Sequence, residues 1–341
     1  MNSKERVLAA LNRAPVDRVP IMEMGIDWAV MRGLGFNRYL DMIEALDLDG
    51  VSVNQALYFL GWRRWVLPFV KHYTDEWGVK SRLTGELLPI PVGHPIPSPE
   101  DLNQFKPPRP ERNPLLQAIR FVRRRAPDRA IIMLSRNDFA ASWFLCGMDV
   151  LLMAYIENPD FADRLAEMVG EYFAELFGLC VQAGVDVIFL TDDYAYKTGT
   201  LMSRQHFERF ILPWLTRGVR AVHDAGGLCV KHTDGDISGI IDLLVGTGID
   251  GIGPLEPEAG NDLVEVQKVW GDRVAVIGNI DVDLLCRGAA GEVVQATESL
   301  VRKLAARGGH VLSSGNTITS SVKPENFRAM IEAGRAVAFG A

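Results

Sequence analysis

The chain is poor in cysteine: four in 341 residues, Cys146, Cys180, Cys229 and Cys286, with no C-x-x-C pair. Such scattering argues against a disulfide framework or a cysteine zinc site and fits reduced thiols in a cytoplasmic protein. No apolar run approaches the ~18 residues of a membrane span. The opening Met1-Asn-Ser-Lys-Glu-Arg6 is charged and lacks an apolar signal core, so no secretory signal is expected. Basic charge is in deficit, 36 Lys and Arg against 43 Asp and Glu, for a net charge of −7. With no basic stripe either, nucleic acid is an unexpected partner. Internal repeats and low-complexity tracts are missing.

What is present is an alternation of strands and helices. Eight short apolar runs bounded by Gly, Asp or Asn read as buried parallel strands: 19–24, 50–53, 130–135, 185–191, 228–232, 251–254, 274–278 and 309–313. Between the later ones lie amphipathic helices. Phe161, Leu165, Met168, Val169, Tyr172, Leu176 and Cys180 share one helical face, as do Phe207, Phe210, Ile211, Trp214, Leu215, Val219 and Val222. Ile237, Ile240, Ile241, Leu244 and Val245 form a third stripe. Asn2 with Glu5 predicts a capping box, Ser203 a helix cap, and Pro324 a first-turn proline. Alternating strands and helices with right-handed crossovers predict a single α/β domain over 1–341, with eight strands closed into a (β/α)8 barrel. Residues 55–128 interrupt this pattern. They hold Trp62, Trp65, Pro68, Trp77 and the proline-dense run Pro89–Pro114, and read as an insertion between strands 2 and 3, a hairpin plus an extended segment.

In such barrels chemistry sits at the carboxyl ends of the strands. Those ends supply Glu23, Asn54, Arg136-Asn137-Asp138, Asp192-Asp193, His232 and Asp234, Glu256, Asn279 and Asp281, and Ser314 and Asn316. His232-Thr-Asp234 suits a metal-ligand pair or an acid–base couple in which the carboxylate orients the imidazole. The plain alternative is an Asp234 that only caps the following helix. Asp192-Asp193 can crowd into a general acid or bind a cation, or can be a solvated loop. Tyr194, Tyr196 and Lys197 follow and suit an aromatic or anionic ligand. Glu256, between Pro254 and Pro257, is stiffly aimed. Asn279 follows a glycine, and Ser313-Ser-Gly-Asn316 offers backbone N–H groups to an anion. His310, at a strand start, belongs to the stability face; His72, His94, His206 and His223 receive no role.

The opening Glu5-Arg-Val-Leu-Ala-Ala-Leu11 and Pro15-Val-Asp-Arg-Val-Pro20 resemble the start of the uroporphyrinogen decarboxylase superfamily, in its corrinoid-dependent methyltransferase branch. Asp75-Glu-Trp-Gly78, Ala183-Gly-Val-Asp186 with Asp192-Asp193, Phe207 through Pro213, His232-Thr-Asp-Gly235, Gly248-Ile-Asp-Gly251, Glu256-Pro257, Gly278-Asn-Ile-Asp281 and Gly308-Gly309 extend the resemblance along nearly the whole chain. It implies a TIM barrel. Two departures stand out. The decarboxylases carry an arginine-rich segment after the first strand that grips a polycarboxylate substrate; here Glu23 through Gly33 contains one arginine. The thiol-alkylating methyltransferases bind zinc through His-x-Cys and a later Cys; the matching positions here are His232, Asp234 and Asn316.

With sulfur replaced by harder donors, the resemblance implies methyl transfer from a small methoxylated (O-methyl) compound to a corrinoid (cobalamin) carried by a partner protein. His232 and Asp234 would hold zinc, with Glu256 or an Asp192 or Asp193 carboxylate completing the site and the other carboxylates acting in catalysis. Substrate contacts would come from Glu23, Asn137, Tyr194, Asn279, Ser314 and Asn316. A homodimer is expected, and no membrane. The rival readings are a metal-free decarboxylase or lyase, in which an aspartate protonates the substrate and His232 donates a hydrogen bond, and a non-catalytic tetrapyrrole- or corrinoid-binding module.

Overall fold

The structure, a computed structural model, describes residues 1–54, 71–83, 89–305 and 307–337. Seven strands pair in parallel in chain order: β1 (Gly50–Ser52), β2 (Ala130–Ser135), β3 (Val187–Leu190), β4 (Leu228–Lys231), β5 (Gly251–Ile252), β6 (Ala275–Ile277) and β7 (His310–Val311). The eighth predicted run, 19–24, forms one parallel bridge, Ile21 to Leu312, rather than a ladder. Leu312 N–H donates to Pro20 O at 2.9 Å, and Asp49 N–H donates to Ile21 O at 2.7 Å, so this segment is bonded to both edges of the sheet. Two features keep its ladder short. Pro20 has no N–H, and the Ile21 N–H donates to the buried Asp49 carboxylate at 2.8 Å.

Side-chain alternation along the strands divides the core in two. Met22, Ala130, Ile132, Val187, Phe189, Val230, Ala275, Ile277 and Val311 pack with one another and with Val7, Ala10 and Leu11 of the first helix, Ser3–Leu11. That helix closes the amino-terminal end of the sheet, where Lys4 N–H donates to Asp128 O just ahead of β2. The alternate residues Ile131, Met133, Ile188, Leu190, Cys229, Ile252 and Val276 join the larger core beneath the helices. Each fully buried aliphatic or aromatic side chain contributes roughly 1.5–3 kcal/mol, so both layers matter. An ion-pair network secures the same end: Arg6 bonds Asp17 and Asp49, Arg18 bonds Asp47 and Asp49, and Arg129 bonds Asp47.

The predicted helix signals are present. Asn2 and Glu5 form a reciprocal capping box, Ser203 caps Arg204–His206, and Pro324 opens Pro324–Ala336. The first stripe lies on Pro159–Ala183. The second spans a π-helical turn, Phe207–Ile211, and Leu212–Asp224. Gly170 lets these helices approach: a Cβ there would meet the Trp214 ring at 2.4 Å. The third stripe is helical only over Ile241–Gly246.

Between β1 and β2 the described residues form a three-stranded antiparallel sheet, His72–Thr74, Lys80–Arg82 and Ile90–Gly93, followed by helices Pro99–Gln104 and Leu115–Arg125. Trp77 is buried against Tyr172 and Phe105; Trp62, Trp65 and Pro68 lie outside the described residues. All four cysteines are free. No single described helix is long and apolar enough to cross a membrane.

Candidate active site at the carboxyl ends of the strands

Alternation along β4 decides which side chains reach the inner side at the carboxyl ends of the strands. Val230 belongs to the inner core, so His232, two residues on, is on the inner side, and Lys231 points to the helix layer. His232 is buried. Its Nδ1 is 2.7 Å from the carbonyl oxygen of Pro254, just past β5. A carbonyl can only accept, so Nδ1 carries a hydrogen, and in the neutral ring the lone pair is left on Nε2. Nε2 faces Asp234, 3.9 Å from Oδ1.

Asp193, His232 and Asp234 offer ligand atoms that all lie within 4.8 Å of one another. Asp193 is exposed, and its Oδ1 accepts the Asp234 N–H at 2.9 Å. Burial is the main force raising the Asp234 pKa. The His232 ring opposes it, while Asp193 and Glu256 push the same way as burial. The Asn316 amide donates to both Asp234 oxygens, at 3.1 and 2.8 Å, and accepts the Thr317 N–H through Oδ1. Positions 232, 234 and 316 therefore converge, but Asn316 turns its nitrogen to the site and orients Asp234.

The expected ligand Glu256 stands beside this group. Its Oε2 accepts the Gly235 N–H at 3.1 Å, and its Oε1 is 3.9 Å from Lys197 Nζ. Asn261 ties the turn together by donating to Gly235 O and Glu256 O. Gly235 has φ +83°, and a Cβ there would sit 2.4 Å from the Ala195 carbonyl carbon, so the turn requires glycine.

Several expected site residues are placed elsewhere. Asp192 is fully buried, and its oxygens accept the N–H groups of Asn137 (2.7 Å) and Ala140 (3.1 Å), capping helix Asp138–Cys146. Adjacent residues point oppositely here, which separates Asp192 from Asp193. Asn137 is buried with its amide on Asp138 Oδ1 at 2.8 Å. Tyr194, expected to touch substrate, is fully buried against Phe139 and Phe207. Asn279 is partly exposed and donates to Leu255 O at 2.7 Å. Asn54 exchanges two hydrogen bonds with the Leu134 backbone, a strand clamp. Glu23 and Ser314 are both buried and pair: Ser314 N–H donates to Oε1 at 2.9 Å, and Ser314 Oγ is 2.6 Å from Oε2.

Lys231 was not anticipated. Fully buried, its ammonium donates to the carbonyls of Leu190 (3.2 Å), Asp192 (2.6 Å) and His232 (2.6 Å), and lies 4.3 Å from the Tyr194 ring centroid. Burial pulls its pKa down to about 8 against the opposing pull of Asp192, Asp193 and Asp138. Three donors meet three acceptors, which makes a buried cation tolerable and joins the strand ends that carry Asp193 and His232. A lysine inside an apolar parallel-strand run was the available signal.

Residues 75–337 match the family model described as Uroporphyrinogen decarboxylase (URO-D). The chain belongs to the uroporphyrinogen decarboxylase family. Among similar URO-D family proteins, the "Methylcobamide:CoM methyltransferase MtaA" of Methanosarcina barkeri is 26% identical, covering 97% of this chain and 96% of the relative. A "Uroporphyrinogen decarboxylase" of Alkalilimnicola ehrlichii is also 26% identical, covering 96% and 93%. Among solved structures, a "methyltransferase from Methanosarcina mazei" superposes with a TM-score of 0.75 at 22% identity over 98% of both chains. A B12-independent methionine synthase from Shewanella sp. W3-18-1 gives 0.53 at 13% identity, over 86% of this chain and 84% of that one. These likenesses establish the fold. Within this URO-D family chain, the one arginine of the segment after the first strand, Arg32, lies 5.7 Å from the Trp28 ring centroid.

Proposed function

We propose that this chain is a corrinoid-linked methyltransferase that takes a methyl group from a small methoxylated compound, using a divalent metal, zinc, at Asp193, His232 and Asp234. The reading treats the chain as one eight-stranded barrel domain, with 55–128 as its insertion and the 19–24 segment as the eighth staves' place in the ring. The observation that carries it is the convergence of one imidazole nitrogen and two carboxylates where the resemblance expects a metal.

The donor set fits such an ion. His232 Nε2 is free to bind because Nδ1 is committed to Pro254 O, the outer contact that commonly orients a ligand histidine. Asp193 and Asp234 supply hard oxygens, Asp193 being one of the carboxylates expected to complete the site. When bound, zinc supplies Lewis acidity that polarises an ether oxygen, whose alkoxide or phenoxide is otherwise a poor leaving group. The chain's own residues hold and aim the site. Asn316 fixes Asp234, the Asp234 N–H fixes Asp193, and Lys231 holds the two strand ends together. Glu256, beside Asp234, relays a proton from solvent to the departing oxygen, since Asp192 is committed to a helix cap. The methyl acceptor is a corrinoid on a partner protein, received at the mouth.

The metal-free carboxy-lyase reading shares the family and its decarboxylase relatives. It is less supported by the residues, because the segment after the first strand offers a single arginine for a polycarboxylate. The test combines metal analysis with turnover. Purified protein should bind stoichiometric zinc and transfer methyl from an aryl methyl ether to a reduced corrinoid, and His232→Ala should abolish both. Protein with no affinity for a divalent metal and no methyl transfer would overturn the proposal.

A further inference from the structure

The pairing of Glu23 with Ser314 contains a proton-counting problem. Ser314 Oγ is 2.6 Å from Glu23 Oε2 and 2.7 Å from the Asn316 carbonyl oxygen, while the Ser314 N–H is spent on Glu23 Oε1. A serine hydroxyl has one hydrogen, and a carbonyl has none to give. If Oγ donates to an ionised Glu23, its lone pairs face the Asn316 carbonyl at hydrogen-bond distance with nothing between. If Oγ donates to Asn316 O, Glu23 Oε2 must supply the hydrogen of the shorter contact. Only a protonated carboxyl satisfies all three contacts together.

We propose that Glu23 is a neutral carboxylic acid whose proton completes the hydrogen bonds that hold the Ser314–Asn316 turn, from which the Asn316 side chain reaches Asp234, and that Glu23 is thereby a positioning residue for Asp234. The surroundings agree. Glu23 is 3% exposed and forms no ion pair among the described residues. Burial pushes its pKa up to about 8, with the two Ser314 bonds opposing. Among the described residues, the Tyr39 phenol from helix Tyr39–Ala45 is a titratable group coupled electrostatically to Glu23, and it too is held neutral by burial. These contacts start on the 19–24 segment, cross to the loop after β7, where Ile280 bridges Ser314, and end at Asp234 after β4. Fixing the Ser314–Asn316 turn fixes where the Asn316 amide meets both Asp234 oxygens.

The protonation half is tested by infrared difference spectroscopy of wild type against Glu23→Gln, without metal. At neutral pH the difference should contain the carbonyl stretch of a protonated carboxylic acid, fading as pH rises through about 8. A band of ionised carboxylate alone at neutral pH overturns the assignment. The positioning half, which rests on the metal-site reading, uses zinc alone as the probe. Glu23→Ala should weaken zinc binding roughly 10-fold or more, and Glu23→Gln, which can repeat all three contacts, should restore it. Equal affinity in Glu23→Ala and wild type overturns positioning. If wild type binds no zinc, the functional reading fails by itself. Positioning is then read from the Asp234 carboxyl titration by 13C NMR: displacement in Glu23→Ala but not in Glu23→Gln supports it, and no displacement in either overturns it.

Discussion

Replacing Asn316 by alanine removes the two amide N–H bonds, at 2.8 and 3.1 Å, that hold both oxygens of Asp234. A hydrogen bond to a charged group is worth about 1.5–3 kcal/mol, toward the lower end where the group keeps contact with water. The Asp234 side chain is 34% exposed, so a loss for the pair of about 1.5–3 kcal/mol is expected. If zinc binding requires Asp234 ionised and aimed, this lowers zinc affinity roughly 10- to 100-fold, since each 1.4 kcal/mol is about tenfold. The sign with pH is set by the carboxylate. Burial already holds its pKa above the usual range, and the amide opposes that shift, so the variant shifts further upward. Zinc affinity should therefore rise with pH in both proteins, with the rise displaced to higher pH in Asn316→Ala. Competition against a chromophoric chelator across a pH series measures both effects, with thermal melts as the folding control. Superimposable curves for a folded variant would refute the role of Asn316.

Asp192 and Asp193 should behave oppositely. Asp192→Ala leaves two backbone N–H groups at a helix start without their acceptor, costing about 1–3 kcal/mol each in chemical denaturation, with zinc affinity little changed. Asp193→Ala, at an exposed site, should change stability by about 0.5 kcal/mol or less while zinc affinity falls at least about 10-fold; similar losses in both would refute their separation. Gly235→Ala forces a left-handed conformation worth about 1–2 kcal/mol and a clash with the Ala195 backbone, so both melting temperature and zinc affinity should drop; an unperturbed melt would refute the strained turn. Glu23 binds its proton more tightly folded, at about 8, than at its ordinary 4.5. Its stabilisation is therefore full below the unfolded value and lost as pH rises through about 8. Wild type should lose stability relative to Glu23→Gln across that window, and parallel pH–stability curves would count against it.

The strands and helix starts were legible because burial and capping are local. Ile131, Met133 and their neighbours had to be apolar on both faces of a covered sheet, and Asn2 with Glu5 spells a cap within one turn. The 19–24 run read as a strand by composition, yet its ladder is cut short by Asp49, a partner far along the chain. The strand-end rule gathered residues that the fold brings together, Asp193, His232 and Asp234, but could not sort them from their neighbours. Asp192 and Asp193 are equivalent as letters, and only the direction of each side chain sends one to a helix cap and the other to the mouth.

By itself, the sequence determined the alternating architecture, the helix caps and the placing of His232 and Asp234 at one strand end, because each follows from periodicity or spacing within a few residues. The tertiary structure alone decided that Asp193 rather than Glu256 completes the closest group, that Asn316 turns its nitrogen to Asp234, and that Lys231 and Glu23 stand buried behind the site. These depend on contacts between residues 41 to 291 positions apart, such as Asp234 with Asp193 (41) and with Asn316 (82), and Glu23 with Ser314 (291). Hydrogen-bond direction and burial across such separations are set by how the strands pair, which no local pattern encodes.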